Sequence, residues 1–338
     1  MLELKTDPLA AVFDAPENRG ETAAAVVETP LQRPALEAKA ATITPPAKGG
    51  LAVPLEIDAV INRVLLAASP IRSIAQVVDI GSANYRRLIT TSGVVSGWVS
   101  EVQARPETDT PNFSEIAPPM GELYANPAAS QAMLDDAGFN VENWLGEEIG
   151  REFARAEGVA FVTGDGVNKP RGFLQSPNAA TTDLTRPFGT LQFITSGAAG
   201  AFAATNPQDR LIDMVHGLAS PYRQGAVWVM NSATLARIRK FKTTDGAFIW
   251  QPGLGPDQPQ SLLGYRVVEV DAMPDVAADS LSIAFGNFQA GYLISQRPDT
   301  TVLKDPYSNK PYVHFYATRR VGGTVLDSRA IKLMRFSV

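Results

Sequence analysis

Apolar positions along the chain predict a first amphipathic helix that begins near residue 57. In the stretch IDAVINRVLLAAS they recur at helical spacing until Pro70 stops the pattern. These apolar residues are Ile57, Val60, Ile61, Val64 and Leu65. Residues 1–50 have no such pattern and are rich in Ala, Pro, Glu and Thr, so we expect a flexible segment there. It is either an arm that orders on a neighbour or a dispensable tail.

Residues 83–127 have the pattern of a long β-hairpin. Strand-like runs are separated by Ser-Gly, by the polar stretch RPETDTP and by Pro-Pro. Their arms hold few large apolar side chains, so the hairpin could hardly stand alone in water. A neighbouring subunit is the simplest cover for it.

The stretch GEEIGREFARAEGVAFVTGDG predicts a long helix with a glycine stop. Asn140 is a plausible N-cap, and the helix should run for about 22 residues, roughly 33 Å. Its apolar stripe is Val141, Leu145, Ile149, Phe153, Ala156 and Ala160. Its charged residues lie largely off that stripe: Glu142, Glu147, Glu148, Arg151, Glu152 and Arg155. Gly164 occupies the position where a left-handed C-terminal cap favours glycine.

Shorter elements precede and follow this helix. We expect Asn126-Pro127 to open a short helix that Gly138 closes, Asn206-Pro207 to cap a helix through Leu218, and Ser232 to cap another. AVWVMN, YRVVEV, SLSIAFG, GYLISQ, TTVLK, YVHFYATRR and AIKLMRF are typical of strands. The helices and strands neither alternate strictly nor segregate, which indicates an α+β fold.

Composition excludes several classes of protein. With 338 residues and 45% hydrophobic content the chain can bury a large core, in one or two domains. It lacks an apolar run long enough to cross a bilayer and a signal-peptide pattern, so we expect a soluble, unexported protein without membrane contact. The absence of cysteine excludes disulfides and thiolate chemistry, and the net charge of −5 argues mildly against a dedicated nucleic-acid binder.

The sequence contains no recognisable set of catalytic residues, no cofactor-binding motif and no metal-binding motif. GDGVNKPRG matches neither phosphate-loop pattern and follows a helix, whereas phosphate loops precede one. His216 and His314 are the two imidazoles, and neither lies in an acid-rich segment. The adjacent acids Asp135-Asp136 and Glu147-Glu148 are typical of a solvated helix face. We therefore expect no enzyme activity and no cofactor.

The order of these parts resembles the tailed-bacteriophage major capsid proteins of the Hong Kong 97 type. QARPETD is similar to the tip of that family's extended loop, and the long helix with its GDG turn to its spine helix. Two later segments are also similar to segments of the family: KPRGFL, and the region from WVMNSATLARIRKF to LLGYRVVEVDAMP. The resemblance spans about residues 51–338. Within this family, the chain resembles more closely still the capsid proteins of gene transfer agents and related phages of alphaproteobacteria.

This resemblance implies a domain plan. The N-terminal arm would be residues 1–50, the peripheral domain would begin in 51–82, and the extended hairpin loop would be 83–127. The peripheral domain with the spine helix would be 128–205, the axial domain 206–287, and the peripheral return strands 288–338.

The resemblance also implies surfaces for contact between subunits. On the extended loop they are Trp98, Arg105, Glu107 and Asp109, and on the spine helix Glu147, Glu148, Arg151 and Arg155. The axial tip would carry Met273 and Asp275, and a loop near three-fold axes would carry Asp305, Asn309 and Lys310.

The implied function is self-assembly of pentamers and hexamers into an icosahedral or icosahedron-derived shell around double-stranded DNA, with only weak non-specific DNA contact. A portal protein would be a partner, scaffolding and a maturation protease could be further ones, and the shell would assemble in the bacterial cytoplasm and reside in the virion. Two alternatives stay open: an encapsulin-type nanocompartment shell, and a hydrolase that uses His216 or His314.

Some members of the family join subunits by a lysine–asparagine isopeptide bond assisted by a buried glutamate. Here Arg105 occupies the loop position, and a guanidinium stays protonated and is a poor nucleophile. YVHFYATRR lacks acids, so the glutamate has no evident counterpart. The sequence therefore predicts a shell without covalent cross-links.

Overall fold

Two large sheets and a long helix organise the chain. The computed structural model describes residues 55–82, 85–91, 96–105, 107–108, 110–242, 261–298 and 300–338, all within the unit Gly50–Val338. The unit Met1–Gly49, and with it the expectation of a flexible arm, lies outside the described residues.

The helices, in chain order, are α1 (Leu55–Ala68), α2 (Pro70–Ile74), α3 (Gln131–Asp136), α4 (Val141–Thr163), α5 (Pro207–Gly217), α6 (Ser220–Arg223), α7 (Ser232–Arg239) and α8 (Phe288–Gly291), with a short 3₁₀ turn at Phe173–Gln175. The strands are β1 (Gln76–Asp79), β2 (Arg87–Thr90), β3 (Phe113–Ile116), β4 (Met120–Ala125), β5 (Ala128–Ser130), β6 (Asn178–Ala179), β7 (Leu191–Thr195), β8 (Val227–Met230), β9 (Ser261–Leu262), β10 (Tyr265–Glu269), β11 (Leu281–Gly286), β12 (Tyr292–Gln296), β13 (Thr301–Asn309), β14 (Tyr312–Val325) and β15 (Ile331–Arg335). This mixture confirms the predicted α+β class.

The first sheet has six strands and carries α4. Its order is β1-β12-β14-β13, with β4 and β5 also paired to β14. Side chains alternate along β14, so that Phe315 and Ala317 are buried while Tyr316 is exposed. Helices α1 and α4 pack together on the buried face through Ile61, Leu65 and Phe153, among others. The apolar spacing that predicted both helices therefore marks their shared core.

The second sheet has seven strands in the order β6-β7-β15-β11-β8-β10-β9. Strands β8 and β10 are parallel and are joined through α7, so the three elements form a βαβ crossover. All four residues of β8 are buried, as its continuous apolar run predicts. A second core of Trp228, Phe285 and Phe336, with other apolar residues, lies against this sheet.

The predicted hairpin has its own two-stranded sheet. β2 pairs antiparallel with β3, from Arg87 opposite Ile116 to Thr90 opposite Phe113. The stretch beyond β3 leaves the hairpin, because β4 joins the first sheet beside β14. The hairpin is therefore anchored to the body of the chain at its second arm.

The long helix begins where the sequence predicts. The side-chain oxygen of Asn140 accepts a hydrogen bond from the backbone N–H of Asn143, and α4 runs for 23 residues. Its end differs from the prediction, since Gly164 is extended (φ −62°) and the left-handed residue is Gly166 (φ 82°). Glycine is needed at 164 for space, because a Cβ there would lie 2.2 Å from the carbonyl oxygen of Pro170.

Two predicted helix caps were wrong, and the third, Asn206-Pro207, lies at the start of α5 as predicted. Asn126-Pro127 leads into β5, and the short helix α3 is capped by Ser130, whose hydroxyl accepts from the N–H of Met133. Helix α7 is capped by Asn231 and not by Ser232, since the Asn231 oxygen accepts from Thr234 N–H at 2.8 Å. The helix after Asn206 forms, but the Asn206 side chain makes no cap hydrogen bond. For α3 and α7 a nearby polar residue, Ser130 or Asn231, supplies the capping oxygen instead of the predicted residue.

Candidate subunit interface

The hairpin exposes apolar side chains that nothing in the described part of this chain covers. Leu88, Phe113 and Trp98 are exposed, and Val102 is 96% exposed. An isolated two-stranded hairpin is marginal in water, and clustered exposed apolar groups usually mark a contact with another molecule. The hairpin therefore has the properties of a protein–protein interface whose partner is absent.

The predicted contact residues of the extended loop lie at this exposed end. Trp98, Arg105 and Glu107 are all exposed to solvent. Asp109, the fourth predicted contact, lies outside the described residues.

Along the spine helix, α4, the predicted charged residues form pairs within the helix. Arg151 is hydrogen-bonded to Glu148 and lies 3.4 Å from a carboxylate oxygen of Glu147. Arg155 lies 2.6 Å from a carboxylate oxygen of Glu152, and this hydrogen bond lowers the pKa of Glu152 and raises the pKa of Arg155. These side chains are between 41% and 70% exposed, so the pairs form a solvated charged stripe.

A buried ionic cluster lies on the other side of the same helix, and sequence reasoning missed it. Both oxygens of Glu157 are used: one accepts from Arg72 Nε at 2.7 Å and the other from Arg319 Nε at 3.1 Å. Gln296 Oε1 accepts from Arg72 Nη1 and Arg319 Nη2, at 2.6 and 2.7 Å. Burial lowers the pKa of Arg319, and the Glu157 carboxylate opposes that shift.

This cluster joins α2, α4, β12 and β14 in one hydrogen-bond network. Helix α4 carries several other glutamates that are exposed, so the residue type of Glu157 did not indicate that it would be buried. The signal available was its position directly before Gly158 and one turn after the buried Phe153 and Ala154.

The axial residues separate into one core residue and one surface residue. Met273 is 2% exposed and packs in the main core, so its side chain is not available to a neighbour, and the position of this segment at an axial tip stays a prediction. Its neighbours Val270 and Val276 are also buried, and the segment turns its apolar side chains inward. Asp275 is exposed and accepts a hydrogen bond from Asn231 Nδ2 at 2.7 Å.

The predicted three-fold loop spans the irregular end of β13, where the pairing with β14 shifts register between Asp305 and Asn309, and the turn at residues 310–311. One Asp305 oxygen accepts from the backbone N–H of Tyr307 at 2.9 Å, the other from the Ser308 hydroxyl, and the Ser308 bond is the main cause of the lowered pKa of Asp305. Asn309 and Lys310 are exposed at the end of the turn. The carboxylate thus holds the turn in shape while the amide and the ammonium face solvent.

The two histidines lie on separate elements, His216 on the helix α5 and His314 on the strand β14. His216 is exposed near the end of α5, which packs on the second sheet. His314 lies on β14 of the first sheet, with Nε2 3.4 Å from Asn309 Nδ2. Over the described residues, no group of three or more metal-ligating side chains comes together. None of the described helices is long and apolar enough to span a membrane.

Comparison with known proteins gives a consistent set of relatives. A profile of the phage capsid family matches residues 49–336. The capsid of an empty GTA particle is 45% identical, covers 80% of this chain and 90% of that one, and has a TM-score of 0.75. The capsid of the native GTA particle is 41% identical over 91% of this chain and all of that one, with a TM-score of 0.74. A chain from a structure of Microbacterium phage Oxtober96 shares the fold at 14% identity, covering 79% of this chain and 90% of that one, with a TM-score of 0.58. A search of curated proteins found no match.

Proposed function

This chain belongs to the phage capsid family, and we propose that it forms the shell of a gene transfer agent or a related phage, from rings of five and six copies around double-stranded DNA. It is a major capsid protein of an icosahedral shell and not an enzyme, as the family match and the two GTA capsids indicate. The observation that carries the finer proposal is the 45% identity to a GTA capsid over 80% of the chain.

The chain's own surfaces support assembly by contact between copies. The hairpin exposes Trp98, Val102 and Phe113, which the described part of one subunit leaves uncovered. Burial of this apolar area by a neighbour stabilises the assembled state by roughly 25 cal/mol per Å². The exposed Asn309 and Lys310 are available for contacts at a second place. Each contact repeats once per subunit, so weak contacts add up over a shell.

Light scattering after size exclusion, with negative-stain microscopy of the same peak, tests the proposal. We expect closed particles of megadalton mass that contain nuclease-protected double-stranded DNA when they are isolated from producing cells. Particles that enclose a protein cargo and no DNA would favour the nanocompartment alternative. No described observation favours either that alternative or a hydrolase based on His216 or His314.

The proposal includes partners of the shell. A portal protein would be one partner, with scaffolding or a maturation protease as assembly factors in the bacterial cytoplasm. The net charge of −5 suits a container, because tight binding to phosphate would hinder packaging and release. Co-purification of a portal with the particles, at far fewer copies than the capsid protein, tests this part.

We also propose that the shell is not covalently cross-linked. Arg105 replaces the lysine nucleophile of cross-linking relatives. Among the described residues the buried carboxylate is that of Glu157, which is held between Arg72 and Arg319. We expect a single band of 36.2 kDa after assembled particles are boiled in SDS. A ladder of covalent multimers would contradict this.

A further inference from the structure

We propose that neighbouring copies within a ring dock through two oppositely charged ends of the βαβ unit formed by β8, α7 and β10. The basic end consists of the exposed Arg237, Lys240 and Arg266, and the acidic end consists of the exposed Glu269, Asp271 and Asp275. The partner of each end is the opposite end of a second copy of this chain. The inference rests on the assembly of copies into rings.

The topology of the unit separates the two ends. β8 and β10 run parallel, so the connecting helix α7 must run back along them. Asn231, at the N-terminal end of α7, donates to Asp275, and Val270 N–H donates to Met230 O at 3.0 Å. These bonds place the acidic end beside the start of the helix.

The basic end lies at the opposite end of the helix. Arg237 and Lys240 are at its C-terminal end, and Arg266 is near the start of β10. The eight residues of α7 separate the two ends by about 12 Å, which exceeds the screening length of about 8 Å at physiological salt. The two groups therefore do not neutralise each other within one subunit.

Within the described residues, Arg237, Lys240, Arg266, Glu269 and Asp271 have neither a hydrogen bond nor an ion pair through their side chains. Among the same described residues, the side chain of Asp275 has a single hydrogen bond, from the amide of Asn231. By contrast, Arg210 on α5 pairs with Asp213, and Arg335 on β15 pairs with Asp279. The two ends thus retain their charge for another molecule.

Helix electrostatics alone do not explain this arrangement. A helix dipole favours cations at its C-terminus, which accounts for Arg237 and Lys240. However, Arg266 and Glu269 lie on β10 and Asp271 follows it, so the same polarity extends to residues outside the helix.

Ring symmetry supplies the partner. In a closed ring every copy repeats one head-to-tail contact, in which a patch meets a different patch on the next copy. A basic patch opposite an acidic one attracts, whereas either patch opposite itself repels. The two ends therefore favour the head-to-tail order that five-membered and six-membered rings both need.

Two charge-reversal variants test the contact. The first, Arg237→Glu with Lys240→Glu, makes both ends acidic, and the second, Glu269→Lys with Asp271→Lys, makes both ends basic. We expect each alone to lower particle yield by about tenfold or more, because every ring contact becomes repulsive. Equal melting temperatures of the unassembled subunits would show that both variants fold.

Mixing the two variants gives the sharper result. Acidic and basic copies can alternate around a six-membered ring but not around a five-membered one. We expect the mixture to form six-membered rings and open assemblies without closed shells. The variant that carries all four substitutions restores a basic end facing an acidic end, and it should form closed particles again. A matched control, Arg210→Asp with Asp213→Arg, preserves the α5 pair and should assemble normally.

Normal particle yield from both reversal variants would overturn the proposal, and so would a four-substitution variant that stays defective. If Arg237→Glu with Lys240→Glu assembles normally but loses affinity for a 30-base-pair duplex, the basic end contacts DNA and the inference is wrong. Wild-type particle formation in the same preparation tests the shell function separately.

Discussion

The hairpin and the spine helix differ in where their stability comes from. The hairpin exposes Trp98 and Val102 and has two paired strands, β2 and β3. The spine helix buries Phe153 and encloses Glu157 between two arginines of the same chain. The subunit's own fold completes the spine helix, whereas the described part of the chain leaves the apolar side chains of the hairpin uncovered. Substitutions in the two regions should therefore separate folding from assembly.

Deletion of residues 102–112 should have the largest effect on assembly. This segment contributes no residue to the described apolar cores, so its loss should leave the subunit folded. We expect soluble subunits with an unchanged melting temperature and no stable particles, measured by calorimetry and by light scattering.

A Gly-Ser replacement of equal length is the control for the deletion. It keeps the chain connection and removes the side chains, so it should be equally defective. Normal particles from either variant would refute the clamping role of the hairpin.

Glu157→Ala should have the largest effect on folding. The substitution leaves Arg72 and Arg319 buried without their carboxylate, and breaking a buried ionic cluster in this way costs about 3–5 kcal/mol. Urea unfolding of the unassembled subunit measures the loss. The control is Glu147→Ala on the exposed stripe of the same helix, where about 0–0.5 kcal/mol is expected. Equal losses for the two variants would show that burial does not distinguish them.

The same contrast explains what could be predicted from the sequence. The spine helix was predicted with its Asn140 cap because helical periodicity and capping are local signals. The hairpin was predicted because a polar tip and strand-like arms are local as well. Elements that are specified by patterns over neighbouring residues could thus be predicted from the sequence.

Features that depend on contacts distant in the sequence could not be predicted. Glu157 is buried because Arg72 and Arg319, 85 and 162 residues away, reach it. Met273 lies in the connection between β10 and β11, among several acidic residues, and its side chain packs in the core. Gly164 proved to be a site of close approach to Pro170, whereas Gly166 has the left-handed backbone. Single-residue roles of this kind follow from tertiary neighbours.

Trp98→Ala should have an intermediate effect that falls on assembly alone. Large aromatic side chains dominate interface energies, and truncation of such an anchor costs about 2 kcal/mol or more per contact. Trp98 is fully exposed in the single subunit, so its removal should leave the free energy of unfolding unchanged. The subunit concentration needed for particles, measured by light scattering, should rise.

Leu184→Ala is the matched control for Trp98→Ala, since Leu184 is also almost fully exposed but lies outside the hairpin. If both variants raise the assembly concentration equally, exposure of apolar area explains the result and the hairpin has no special role.

Arg151→Ala should have the smallest effect and marks the limit of the comparison. Arg151 pairs with Glu147 and Glu148 along the helix, but all three side chains are about half exposed. Solvent screens such pairs and their side chains lose entropy on pairing, so we expect a loss of about 0–0.5 kcal/mol in the free energy of unfolding. The residual effect should shrink further in 1 M salt, where the screening length falls to about 3 Å. An unchanged stability combined with defective particles would show that this stripe, which the single subunit satisfies internally, contacts a neighbour in the shell. In that case the spine helix would take part in assembly as the hairpin does, and folding and assembly would share one element.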